Sequence, residues 1–113
     1  MSLPHSYLLT ANVMGHPYRV YTVRGLHLKG ELMHGLCVLE KRMIFVRAGL
    51  SRFETAATLL HELFHAVYAE ASLGNKSEEE VVEALSTVAA QLLRRNRSLR
   101  AKLLDGIPRR RVV

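Results

Sequence analysis

Within the stretch Thr58-Leu59-Leu60-His61-Glu62-Leu63-Phe64-His65-Ala66-Val67, two histidines and a glutamate interrupt an otherwise apolar run. Drawn as a helix, His61 and His65 stand one turn apart on a shared face, with Glu62 projecting beside them. Two imidazoles at that separation can hold one tetrahedral zinc ion through ring nitrogens, and the adjacent carboxylate is placed to take a proton from water. The competing explanation is a pair of hydrogen-bonded core histidines. The position of the three residues, central in a run flanked by Ala56, Ala57, Leu59, Leu60, Leu63 and Phe64, favours the metal site.

The spacing is the HExxH arrangement of zinc peptidases. Two ligands do not make a tight zinc site, and no histidine follows His65. Tyr68 and Ala71 stand where the metzincin pattern has a glycine and a third histidine, so a carboxylate is the remaining choice. Glu78, Glu79, Glu80 and Glu83 are the candidates, all on a second helix expected to fold back along the first as an αα-hairpin. Helical phase sorts them against the apolar stripe Val81, Val82, Leu85, Val88, Ala89 and Leu92. Glu83 points nearly opposite the stripe, Glu80 is engaged as a capping partner, and Glu78 is in phase but is the first helical residue. Glu79, at the stripe's edge, is favoured, and the other three stay open. Acidic residues at a helix N-terminus also have a purely local use, because they complement the helix dipole.

These residues need elements to position them. Ser51-Arg52-Phe53-Glu54 has the spacing of a capping box, which predicts a helix from there to about Ser72, ended by left-handed residues at Gly74-Asn75. Ser77-Glu78-Glu79-Glu80 repeats the signal and opens a helix to about Arg95, and a third short helix is expected over Ser98 to Leu104. The first half reads as strands: Tyr7 to Met14 and Pro17 to Val23 around a turn at Gly15-His16, then Leu36 to Leu39 and Met43 to Val46 around Glu40-Lys41-Arg42. Gly25 to Gly35 reads as loop or a short element.

Length and charge bound the rest. The 113 residues suffice for one domain, a sheet over about 6–48, helices over about 52–104 and a basic tail over 105–113. About half the residues are apolar (49%), no run is long enough to span a membrane, and no secretion signal is visible, so a cytoplasmic protein without a membrane partner is expected. Cys37 is the single cysteine, which excludes an internal disulfide and a cysteine-rich metal cluster. The net charge of +6 gathers late in the chain, through Arg94, Arg95, Arg97, Arg100, Lys102 and Arg109-Arg110-Arg111. Nucleic acid could be contacted by that basic C-terminal region, although no recognised nucleic-acid motif or aromatic platform accompanies it in the sequence.

Over roughly Gly15 to Leu93 the chain resembles the gluzincin-like peptidases of the ImmA/IrrE type, including small phage proteins of the SprT-like and ImmA-like kinds. The resemblance is carried by Met43-Ile44-Phe45-Val46-Arg47-Ala48-Gly49-Leu50-Ser51, by Thr58 to Ala66, and by Glu79-Glu80-Val81-Val82-Glu83-Ala84-Leu85-Ser86. It implies an α+β, minimal zincin-like domain with a small antiparallel or mixed sheet, an active-site helix and a second, ligand-bearing helix. It further implies Zn²⁺ held by His61, His65 and Glu79, Glu62 as general base, and a protein substrate, such as a transcriptional regulator. Glu83 stands where the family usually has Asn or Asp, and it is a candidate to orient a histidine. For Tyr68 two roles are open, an oxyanion donor or a packed ring with a polar tip. Met43 to Val46 is the expected edge strand that holds substrate as an added strand.

Overall fold

A computed structural model describes residues 5–106, apart from the side chains of Glu78, Val82 and Ser86. The terminal Arg109-Arg110-Arg111 lies outside the described residues. Six strands lead into three α-helices: β1 (His5–Val13), β2 (His16–Val23), β3 (His27–Leu28), β4 (Glu31–Leu32), β5 (Gly35–Val38), β6 (Met43–Arg47), α1 (Arg52–Glu70), α2 (Glu78–Arg95) and α3 (Arg97–Gly106). The result is an α+β fold. Among the described residues no helix is long and apolar enough to cross a membrane.

The main sheet has the order β1-β2-β6-β5, and it is mixed: β2 and β6 run parallel, while β1–β2 and β5–β6 are antiparallel. The turn between β1 and β2 falls at Met14-Gly15, both with positive φ (54° and 89°), so His16 already belongs to β2. A turn with two left-handed residues matches the twist of an antiparallel pair. The segment Gly25 to Gly35 forms a two-stranded hairpin, β3–β4.

Alternation along the strands sends Ala11, Val13, Tyr18, Val20, Ile44 and Val46 to one face, where all are buried. Against that face α1 lays Ala56, Leu59, Leu63, Ala66 and Val67, which helical spacing places on one side. Both ends of α1 are fastened. At its start Ser51 and Glu54 form the expected capping box, each side chain bonding the other's backbone N–H. At its end Glu70 accepts a hydrogen bond from the Tyr18 hydroxyl (2.9 Å) and lies 3.0 Å from His16 Nε2 and 3.4 Å from Arg42 Nε. Burial and the Glu70 carboxylate push the Tyr18 hydroxyl up to about 12. The middle of α1, with its two histidines, is thereby held at a fixed height over the sheet.

The connection after α1 differs from the expected one. Ser72, not Gly74 or Asn75, takes the left-handed conformation (φ 53°), and Leu73–Asn75 forms a 3-10 turn. Ser77 caps α2 by accepting from the Glu80 N–H, but its hydroxyl donates to the Glu80 carboxylate, in place of the reciprocal backbone bond of a full box. Nor does α2 return along α1 as a hairpin. It packs on β1 and α3, whereas α1 packs on the sheet and, among the helices, on α3. Val88 and Leu92 of α2 are buried in the shared core, which also contains Leu9, Ala11 and Val13 of β1.

Asn96 locks the α2–α3 corner to the sheet. Its amide donates to the carbonyls of Asn12 (3.1 Å) and Leu92 (3.0 Å), and its oxygen accepts from the Asn12 N–H (2.7 Å). Because Asn96 is buried, Asn96→Ala is expected to cost about 1–3 kcal/mol through the partners it strands. Urea titration against the native chain measures this.

Candidate metal centre

His61 and His65 turn their ring nitrogens toward each other, Nε2 to Nε2 at 3.2 Å, with ring centroids 4.9 Å apart. Two nitrogens each about 2.0–2.1 Å from one tetrahedral ion lie roughly 3.3 Å apart, so the pair already has the spacing of a chelate. Both rings are exposed, which argues against a buried, structural histidine pair. Glu62 is the opposite case. It is only 7% exposed, and its Oε2 lies 4.0 Å from His61 Nε2. Burial raises the Glu62 carboxyl above the usual carboxylate range, with His61 and His65 pulling the other way. A carboxylate so placed takes up a proton more readily near neutrality than a solvated one.

What covers Glu62 is strand β5. A cleft of about 380 Å³ is lined by Met33, His34, Gly35, Thr58, His61 and Glu62. At Gly35 a β-carbon would meet Thr58 Cγ2 at 2.6 Å and Glu62 Cγ at 3.0 Å, so only glycine lets the strand pass this close to α1. Gly35 and His34 line the cleft beside His61 and Glu62, and the motif alone does not point to them. The available signal was a glycine at the start of an apolar run, which marks a close backbone approach without saying to what.

The order of the sheet corrects the expected substrate strand. Met43–Val46 lies in β6, between β2 and β5, and has no free edge. β5 is the edge strand beside α1's histidines, with β1 at the opposite edge, because β6 pairs on both sides, with β2 and β5.

Cys37, two residues along β5 from Gly35, shares that surroundings. Burial, then the Glu62 carboxylate, pushes its thiol up to about 11. The thiol is therefore protonated through neutral pH. Alkylation of Cys37 at pH 8 is expected to run roughly two orders of magnitude slower than that of an unshifted thiol, rising about tenfold per pH unit toward pH 10. Glu62→Gln should speed it, and iodoacetamide kinetics read both effects.

Among the described residues no group of three or more His, Cys, Asp and Glu side chains is gathered to hold an ion. Glu79, Glu80 and Glu83 are exposed on α2, and the side chain of Glu78 is not among those described. Helical phase turns Glu79 toward the first helix only where α2 runs along α1, whereas α2 packs on β1 and α3. Tyr68 is exposed with its hydroxyl beside Gly74, 3.1 Å from where a β-carbon would stand, at the turn after α1.

No protein-family model matches the chain, and neither a curated protein nor a solved structure matches it significantly.

Proposed function

We propose that the chain is a zinc-dependent metallopeptidase with a minimal zincin-like domain, acting on a specific protein substrate such as a transcriptional regulator. The observation that carries this reading is the pair of ε nitrogens 3.2 Å apart beside a buried glutamate, under the edge strand of a sheet. The histidine pair fits a tetrahedral zinc ion; the third donor is assigned to the α2 carboxylates, Glu79 first, which requires the start of α2 to approach His65. Zinc, when bound, supplies a Lewis acid that acidifies water and polarises a carbonyl. The rest of the chemistry belongs to the chain. Glu62 accepts the proton of the attacking water and returns it to the leaving amine. Residues Gly35–Val38 of β5 offer unpaired backbone groups on which a substrate segment adds as a further strand, its scissile bond lying over His61 and Glu62. His34, on the cleft wall, is placed to touch that segment.

The buried Glu62 favours hydrolysis over a purely structural zinc site, which has no use for a general base. Elemental analysis of natively purified protein tests the metal reading. One equivalent of zinc is expected in the native chain and in Glu62→Gln, with a clear drop in His65→Ala and in Glu79→Gln. Unchanged zinc in His65→Ala would refute the centre, and unchanged zinc in Glu79→Gln would reassign the third ligand alone.

A further inference from the structure

The face of the sheet turned away from the helices carries a second, separate feature. The register aligns Tyr7, Tyr21, Phe45 and Leu36 in one row across all four strands, β1-β2-β6-β5. Tyr21 and Phe45, on the two central strands, are half-buried, with ring centroids 5.8 Å apart and planes within 25° of parallel, and His5 meets Tyr21 edge-on at 5.1 Å. Tyr7 meets Tyr21 edge-on at 6.0 Å and is 60% exposed. The helices pack on the other face, with the buried core.

The next row along the same face is Thr10, Arg19, Met43 and Val38. Arg19 is exposed and shares an open cleft of about 460 Å³ with Lys41 and Arg42, beside Thr10 and Pro17. One acid, Glu40, lines that cleft, and Arg42 is engaged by Glu70. Arg47, on the far side of the ring row, shares its field with Glu54. The two rows themselves contain no Asp or Glu. Rings with a cationic border fit a polyanion with flat, apolar side groups, that is, a nucleic acid whose bases are unpaired. A duplex keeps its bases in the stack and presents nothing for the rings to cover.

We infer that this open sheet face binds single-stranded RNA, with bases on Tyr21 and Phe45 and phosphates along Arg19 and Lys41. A four-stranded sheet with aromatic residues on its central strands is an arrangement suited to stacking two or three RNA bases. RNA is favoured over DNA by the hydroxyl pair bordering the rings: Tyr7 Oη and Thr10 Oγ1 lie 2.7 Å apart, and each keeps hydrogen-bonding capacity for a ribose 2′-hydroxyl. The face carries none of His61, Glu62 and His65, and the inference does not rest on the proposed hydrolysis, although both readings use β5.

The test is fluorescence anisotropy of the full chain with a labelled twelve-residue oligouridine at 50 and 200 mM salt. Saturable binding is expected that weakens with salt. Binding should fall at least about tenfold in Tyr21→Leu/Phe45→Leu, which removes the rings on which bases stack. A similar loss with a flatter salt dependence is expected in Arg19→Glu/Lys41→Glu, whose exposed positions keep the fold intact should the ring variant not fold. Glu62→Gln should bind as the native chain does, and Tyr7→Phe/Thr10→Val should erase the preference over oligothymidine. Four results would overturn the inference: no saturable binding at 50 mM salt; native binding in Arg19→Glu/Lys41→Glu with loss on replacing Arg109, Arg110 and Arg111 by serine; equal or tighter binding of oligothymidine by the native chain; or a native dimer that Phe45→Leu converts to a monomer.

Discussion

Glu62→Gln is expected to lower peptide hydrolysis by about 10²–10⁴-fold, the range general-base catalysis supplies, while zinc content stays at the native level. The two side chains are close in shape, so the cleft beneath β5 keeps its packing, and neither histidine loses its place. What changes is the capacity to hold a proton. Stability should move the other way. Burial raises the Glu62 carboxyl, so the metal-free fold binds that proton more tightly than the unfolded chain does. Stability from this group is therefore full at low pH and declines as pH rises through the raised folded value. At pH 8 the metal-free glutamine variant should melt at or above the native temperature, and at pH 4 the difference should vanish. A Glu62→Gln protein that retains full turnover would remove the base from the mechanism, whatever its zinc content.

Gly35→Ala tests the other wall of the same cleft. Its β-carbon would stand 2.6 Å from Thr58 Cγ2, 3.0 Å from Glu62 Cγ and 3.1 Å from Glu62 Oε2. Gly35 does not have a positive φ, so alanine meets no backbone strain and the effect is steric alone. Overpacking of this kind costs about 1–3 kcal/mol, and the strand or the carboxylate must shift to relieve it. A displacement near 1 Å at the base is enough to cost on the order of 10²-fold in rate. Thr58→Ser removes the Cγ2 that is struck first, so Gly35→Ala/Thr58→Ser should recover part of both losses. Thermal melts and turnover on all three variants decide it; an additive double mutant would mean the contact is not the cause.

Much of the helical half was legible beforehand because its signals are local. Ser51 and Glu54 are three residues apart, as are Ser77 and Glu80, and His61 and His65 are one turn apart. Their geometry follows from the helix alone, and α1 supplies it. The strands around Gly15 and around Glu40-Lys41-Arg42 were legible from alternation and turn residues, to within two residues at each end.

The features that escaped are those made by residues distant in sequence. Parallel pairing of β2 with β6 is a choice of partner, and it moves the free edge from Met43–Val46 to β5. Gly35 acquires its importance only when β5 crosses over Glu62, 27 positions later by residue number. The direction of α2, which packs on β1 and α3, depends on contacts between residues far apart in the chain, and helical phase alone does not supply it. Tyr7, Tyr21 and Phe45 show no pattern along the chain, yet strand register aligns them in a row. Local hydrogen bonding and periodicity thus specified the helix that carries His61, Glu62 and His65, while burial of the shared core determined what lies above them and what faces away.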